Sequence, residues 1–259
     1  MSYHYRKMKQ EIDQQIAVIE QTYGVQVLYA CESGSRAWGF ASPDSDFDVR
    51  FIYLQPRDNY LSIHDRRDVI ELPVNEILDV NGWDIRKTLQ LFLKSNGPLY
   101  EWLQSPIVYQ VNSAFAAELR GLMSAYFSHR AGCHHYLSMT RNTFENDLQG
   151  AEVRLKRYFY ALRPALACRW ILEKQEVPPM EFHRLRTLER DSAWQQAVND
   201  LLEQKAKSGE KQMIAPIALF QQWIEATIAT CKVKADGLSA ITHGTEQLDQ
   251  LFRKYIVVE

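Results

Sequence analysis

The chain has few cysteines and arranges none of them for chemistry. Cys31, Cys133, Cys168 and Cys231 are scattered through 259 residues without a C-x-x-C spacing, so neither a zinc site nor a dithiol redox motif follows. Long apolar runs are missing as well. Nothing approaches the roughly 18 residues that a membrane span needs, and the start, Met-Ser-Tyr-His-Tyr-Arg-Lys, lacks the apolar core of a leader. The expectation is a reduced, soluble, cytoplasmic protein with no membrane partner. No low-complexity linker and no clean repeat divides it. Net charge is almost absent, at −2, while core-forming material is ample, with 46% apolar and 12% aromatic residues. That supports one large domain or two modest ones.

The distribution of charge says more than its sum. Residues 1–110 hold 11 Lys/Arg against 15 Asp/Glu, whereas residues 111–259 hold 19 against 17. The basic excess is concentrated between 120 and 170, where His129, His134 and His135 add titratable nitrogens. An acidic half beside a basic half suits a polyanionic ligand such as a nucleoside triphosphate.

One stretch organises the rest, Glu32-Ser-Gly-Ser-Arg-Ala-Trp-Gly-Phe-Ala-Ser-Pro-Asp-Ser-Asp-Phe-Asp-Val-Arg-Phe51. A strand-like run, Val25–Ala30, leads into Gly34-Ser35, and a second, Phe47–Leu54, opens with Asp46 and Asp48. Strand side chains alternate, so these two carboxylates project from one face. Neighbouring anions repel unless a cation lies between them, and oxygen donors of this kind suit Mg²⁺, which keeps waters and recruits phosphates. Gly34 lets the backbone approach an anion, Ser35 adds a hydroxyl, and a helix starting near Arg36 aims free N–H groups the same way. Taken alone, an Asp-x-Asp also serves as a turn or helix cap, and a Gly-Ser as a plain turn. Their combination and order set this stretch apart.

In that order the motif resembles the signature of the DNA polymerase β-like nucleotidyltransferase superfamily, with Gly34-Ser35 as its Gly-Ser element and Asp46 and Asp48 as its Asp-x-Asp. The longer string resembles a narrower YcgL-like family of bacterial and phage nucleotidyltransferases linked to RNA repair, and the likeness covers most of residues 25–170. It implies a small mixed β-sheet domain of the polymerase β palm type, an α+β fold with an all-helical second domain, and a third metal-binding carboxylate on a later strand. Asp79, in Ile77-Leu-Asp-Val80, is the first candidate. Asp84 is the rival, although its place before Ile85–Leu93 also reads as a helix N-cap. Glu71 is a third.

Taken in order, residues 5–22 form an amphipathic helix with Met8, Ile12, Ile16, Val18 and Ile19 as its apolar residues, ended by Gly24. Short strands follow at 69–72 and 74–80, then a helix over 84–95 closed by Asn96-Gly97-Pro98. Glu101 and Trp102 read as architecture where the halves join. From 113 onward the pattern is helical: 114–127, 130–146, 151–174, 182–190, 192–207, 217–232 and a closing helix over 241–259. This change places a boundary near 110, giving a nucleotidyltransferase domain over 1–110 and a helical domain over 111–259. The charged run Lys205–Lys211 reads as a solvated loop.

One helix in the second half carries Lys156, Tyr160 and Arg163 at i, i+4 and i+7, on one stripe. Two cations and a phenol so aligned suit β and γ phosphates. Alternatively, they form an exposed basic face with a half-buried tyrosine. The segment resembles the family's Lys-x-x-x-Tyr-x-x-Arg-Pro stretch, which implies the phosphate role. His134, His135 and Arg141, on the preceding helix, could reach the same cleft.

The reaction implied is transfer of a nucleoside monophosphate from a triphosphate to an acceptor hydroxyl of RNA, protein or a small molecule, releasing pyrophosphate. Asp46, Asp48 and Asp79 would hold two Mg²⁺ ions, Mn²⁺ being a substitute, and Gly34, Ser35, Arg36, Lys156, Tyr160 and Arg163 would bind the nucleotide. The alternative is a non-catalytic nucleotide sensor or RNA-binding module on the same fold. Oligomeric state has no sequence signal.

Overall fold

A computed structural model describes residues 3–74 and 77–257. Helix α1 (Tyr3–Tyr23) leads into strand β1 (Gln26–Glu32), the short helix α2 (Gly34–Trp38) and strand β2 (Phe47–Leu54). A one-turn helix, α3 (Arg57–Tyr60), stands where Pro56 begins the turn, and strands β3 (Val69–Glu71) and β4 (Leu78–Asp84) follow. Residues 75 and 76 of the strand expected over 74–80 lie outside the described residues. The described part of β4 starts later than that and runs on to the helix that Asp84 caps. Helices α4 (Ile85–Leu93) and α5 (Gly97–Trp102) come next, then strand β5 (Val108–Val111).

Among the described residues these strands form a five-stranded mixed sheet in the order β3-β4-β2-β1-β5. Strand β2 is antiparallel to β1 and parallel to β4. Sequence reading did not assign β5 as a strand, because it is short, half exposed and at the sheet edge, so neither length nor alternation marks it.

Alternation along β2 sends Phe47, Val49, Phe51 and Tyr53 to one face, where Met8, Ile12, Ile16 and Ile19 of α1 cover them. Val18 falls off that helical stripe and is 52% exposed. The opposite face of β2, carrying Ile52 and Leu54, packs into a larger core shared with the helices. Asp48 and Arg50 belong to this second face, so alternation aims them at the helical half.

The helical half comprises α6 (Ser113–Tyr126), α7 (His129–Asp147), α8 (Leu155–Lys174), α9 (Phe182–Leu185) continued by a 3-10 turn, α10 (Ser192–Lys207), α11 (Ala218–Asp236) and α12 (Glu246–Ile256). Two departures from the sequence expectation stand out. Residues 151–154 are not helical, since strand β6 (Val153–Arg154) pairs with β7 (Met213–Ile214) in a small ribbon. Helix α12 starts only at Glu246, and residues 258–259 lie outside the described part. The larger core runs from Leu28 to Tyr255, across the change from sheet to helix at Val111. No described helix is long and apolar enough to cross a membrane.

Candidate active site

The site forms where the start of β2 meets the start of β4. Parallel pairing sets Asp48 directly beside Asp79, so the two carboxylates are neighbours across the ladder and share a face. The Arg50 guanidinium joins them, with Nη2 donating to Asp79 Oδ2 at 2.7 Å and to Asp48 Oδ1 at 3.2 Å. Asp46, one residue before the strand, is exposed. Burial pushes the Asp48 carboxyl above its usual value; Arg50 opposes this, while the charges of Asp79 and Asp46 add to it. Two carboxylates thus share the one Arg50 guanidinium.

Asp84 lies at the other end of β4, opposite Tyr53. It is buried and caps α4, accepting the Arg86 N–H at 2.8 Å, the Tyr60 hydroxyl at 2.7 Å and the Gln55 amide at 3.2 Å. Both of its oxygens are engaged in structural bonds. Glu71 is exposed on the edge strand, opposite Asn81. Of the three rivals, the structure brings only Asp79 beside Asp48.

Gly34 adopts φ +60° at the head of α2, and a side chain added there would collide with the Asp48 carboxylate. The close approach of this turn to the acidic strand thus requires glycine. Ser35 is nearly buried beside it. Arg36 turns elsewhere: its guanidinium donates to the carbonyls of Asp46, at 2.9 Å, and Ser45, and stacks 3.8 Å over the Phe47 ring. It braces the loop carrying Asp46.

Across the cleft, α8 presents Lys156 and Tyr160 but not Arg163. Lys156 pairs with Glu210 at 2.6 Å, and Tyr160 lies edge-on to Trp38 with ring centroids 5.7 Å apart. Burial first, then the charges of Glu210 and Asp48, push the Tyr160 hydroxyl up to about 12, so it stays protonated and able to donate. Arg163 is 2% exposed, bonded to Glu101 at 2.8 Å and to the Met180 carbonyl at 3.1 Å, with its plane 4.4 Å from the Trp38 ring. The stripe predicted along α8 exists, but the helix dives inward, so its last member is sealed in the core. Glu101 also accepts from the Tyr136 hydroxyl and the Trp38 indole, which makes it the junction of the two halves. His134 reaches toward Asp236, His135 lies beside Gly97, and Arg141 is exposed on α7. None of these three contacts the carboxylates in the described hydrogen bonds.

A family model described as the RNA repair pathway DNA polymerase beta family, RlaP, matches residues 8–254. The chain belongs to this family. The uncharacterized protein YcgL of Bacillus subtilis (strain 168) is 47% identical over 234 residues, which cover 90% of each chain. A solved structure, the nucleotidyltransferase-like protein from Exiguobacterium sibiricum 255-15, aligns with 94% of this chain and 80% of its own at 15% identity and a TM-score of 0.32. That likeness is too loose to carry an argument. Membership of RlaP brings a general nucleotidyl-transfer role.

Among the described residues no three His, Cys, Asp or Glu side chains converge as a preformed metal cage. The donors here are Asp48 and Asp79, which Arg50 bridges, and the exposed Asp46. Such hard oxygens with unbalanced charge fit an ion that takes a few carboxylates and completes its shell with water and phosphate, which is how Mg²⁺ binds.

Four contributors escaped the sequence reading. Arg50 was legible in principle, two residues from Asp48 on the same face. Glu32 is fully buried on β1, with Oε1 accepting the Asp48 N–H at 2.8 Å and the other oxygen accepting from the Tyr109 hydroxyl. Burial pushes its carboxyl up to about 7, against the pull of these donors. Lys205 and Glu210, read as parts of a solvated loop, instead dock onto the segment before β2. Lys205 is 2% exposed and donates to Ser42 Oγ at 2.7 Å. No local signal could show this, because the partners are more than 160 residues apart.

Proposed function

We propose that this RlaP member transfers a nucleoside monophosphate from a nucleoside triphosphate to an acceptor hydroxyl, with release of pyrophosphate. The pairing of Asp48 with Asp79, on the sheet face turned toward Lys156 and Tyr160, carries this reading. The RNA repair description of the family supports an RNA hydroxyl as acceptor. Asp46, Asp48 and Asp79 would hold Mg²⁺. The bound metal would neutralise phosphate charge and favour deprotonation of the attacking hydroxyl.

The chain's own groups do the remaining work. Ser35, at the glycine turn, offers a hydroxyl to the phosphates beside Asp48. Lys156 supplies a point charge and Tyr160 a protonated phenol from the opposite wall. Arg50 donates to both Asp48 and Asp79, which limits their repulsion and aims them before the ligand arrives. Glu32 and Arg36 hold the Asp48 and Asp46 backbones in place. Catalysis on this plan is positioning and charge neutralisation, as phosphoryl transfer allows.

The test is incubation of the protein with each labelled ribonucleoside triphosphate, Mg²⁺ and total RNA, following label incorporation and pyrophosphate release. Incorporation that disappears in the Asp46→Ala/Asp48→Ala variant establishes the transfer, and label in protein or a small molecule would redirect the acceptor. No turnover with any nucleotide, together with unchanged thermal stability on adding nucleotide and Mg²⁺, would sink the reading.

A further inference from the structure

We propose that Ser42, Ser45, Lys156 and Lys205 form a phosphate site, and that Glu210 occupies it as an internal competitor for the polyphosphate tail of the nucleotide. The inference rests on the transfer reading for the identity of the ligand. It assigns a task to a segment between α10 and β7 that otherwise looks like a surface loop.

The Glu210 carboxylate collects four side-chain donors. Oε1 accepts from Ser45 Oγ at 2.6 Å, from Ser42 Oγ at 3.4 Å and from Lys205 Nζ at 3.4 Å, while Oε2 accepts from Lys156 Nζ at 2.6 Å. Ser42, Ser45 and Lys205 are all buried. Burial would raise this carboxyl, yet the hydrogen bonds from Lys156 and Ser45 and the charges of the two lysines hold it down to about 2. Two lysines face the Glu210 carboxylate directly, at 2.6 and 3.4 Å, while Asp44 adds a second acid behind it on the Glu210 backbone. Burial lowers the Lys205 ammonium from its usual value despite Glu210 and Asp44 nearby.

A phosphate group answers this arrangement better than a carboxylate does. It accepts from the same hydroxyl and ammonium donors but carries more charge and more oxygens. The location suits a nucleotide as well. A cleft of about 720 Å³ adjoins the site, lined by Asp46, Lys156, Glu210 and Lys211 among others, so a phosphate held there lies near the proposed metal ligand Asp46. The competitor is tethered by Asp44, whose two oxygens accept the Glu210 N–H at 3.1 Å each. Gly209 lies against the same carboxylate, where a Cβ would stand 2.9 Å from Oδ2. The displacement is pure exchange: the phosphate oxygens take over the donors, and the Glu210 carboxylate goes to water.

Inorganic tripolyphosphate is the probe, titrated calorimetrically into the full chain without nucleotide. Glu210→Gln is expected to bind it at least about tenfold more tightly than the wild type, and Lys205→Met added to that variant to abolish the gain. Should Glu210→Gln fail to fold with Lys205 buried, Asp44→Asn loosens the tether from an exposed position and is also expected to tighten binding. Asp200→Asn, an equal charge loss on an exposed part of α10, controls for net charge and leaves affinity unchanged. Affinity unchanged or weakened in folded Glu210→Gln and Asp44→Asn overturns the proposal. Label incorporation without such tightening would remove the competitor while keeping the transfer reading; tightening without incorporation would do the reverse.

Discussion

Two acid–guanidinium clusters are built from the same chemistry but differ in burial. In one, Arg50 bridges Asp48 and Asp79, and all three remain partly exposed, at 18% for the arginine and 29% for each acid. In the other, Arg163 and Glu101 are at 2% and 8%, and Glu101 also takes the Tyr136 and Trp38 donors. The sealed pair is almost wholly removed from solvent, and both Glu101 oxygens are bonded. At the open cluster, one cation faces two carboxylates with a third nearby, which leaves charge for a ligand to balance. Burial, rather than residue type, separates the architectural pair from the open one proposed as the active site.

The largest effect should come from breaking the sealed cluster. Glu101→Ala leaves the Arg163 guanidinium buried without its acid, and unfolding in urea should show a loss of about 3–5 kcal/mol. A loss below about 1 kcal/mol would mean that the pair is solvated in solution and the contrast is false. Asp48→Asn should do the opposite, preserving the fold and lowering label incorporation by at least about 10²-fold. Turnover close to that of the wild type would break the comparison from the open side.

A smaller effect separates the two ends of β4. Asp84→Asn weakens the cap of α4 and the Tyr60 bond, costing about 1 kcal/mol, while turnover per folded molecule holds. Asp79→Asn should lower turnover with little loss of stability. Reversed results would move the third carboxylate to Asp84.

The mildest test concerns pH. The Glu32 carboxyl is raised by burial to about 7, so the folded state holds its proton where the unfolded chain has released it. That contribution is full below the ordinary carboxylate range and disappears as pH rises through about 7. Glu32→Gln should therefore flatten the decline in unfolding free energy across that window; an unchanged slope would place the titration elsewhere.

Much of the sheet half was legible, and the reasons are local. The alternation of Phe47–Leu54 marked β2, and it aimed Asp48 at the right face because strand periodicity is two wherever the strand lies. The spacing of Met8, Ile12, Ile16 and Ile19 marked the buried face of α1. Asp84 announced its cap by standing before a helical run. Edge strand β5 and ribbon β6–β7 were not legible, because strands this short acquire their pairing from neighbours distant in sequence.

By itself, then, the sequence determined the longer elements such as α1, β2 and α4, the Gly-Ser and Asp-x-Asp pieces and which residues of β2 share a face, since each follows from local chain order or from the repeat of a single strand or helix. Only the tertiary structure decided which later acid stands beside Asp48, because register belongs to a pair of strands and not to either one. It also decided that Arg163 is sealed while Lys156 is not, though both lie on one helical stripe. A helix period states which residues share a face, but how deep that face runs depends on what packs over it. For the same reason Lys205 and Glu210, charged and apparently solvated in sequence, meet Ser42 and Ser45 in a nearly dry site: burial is a property of the assembled chain.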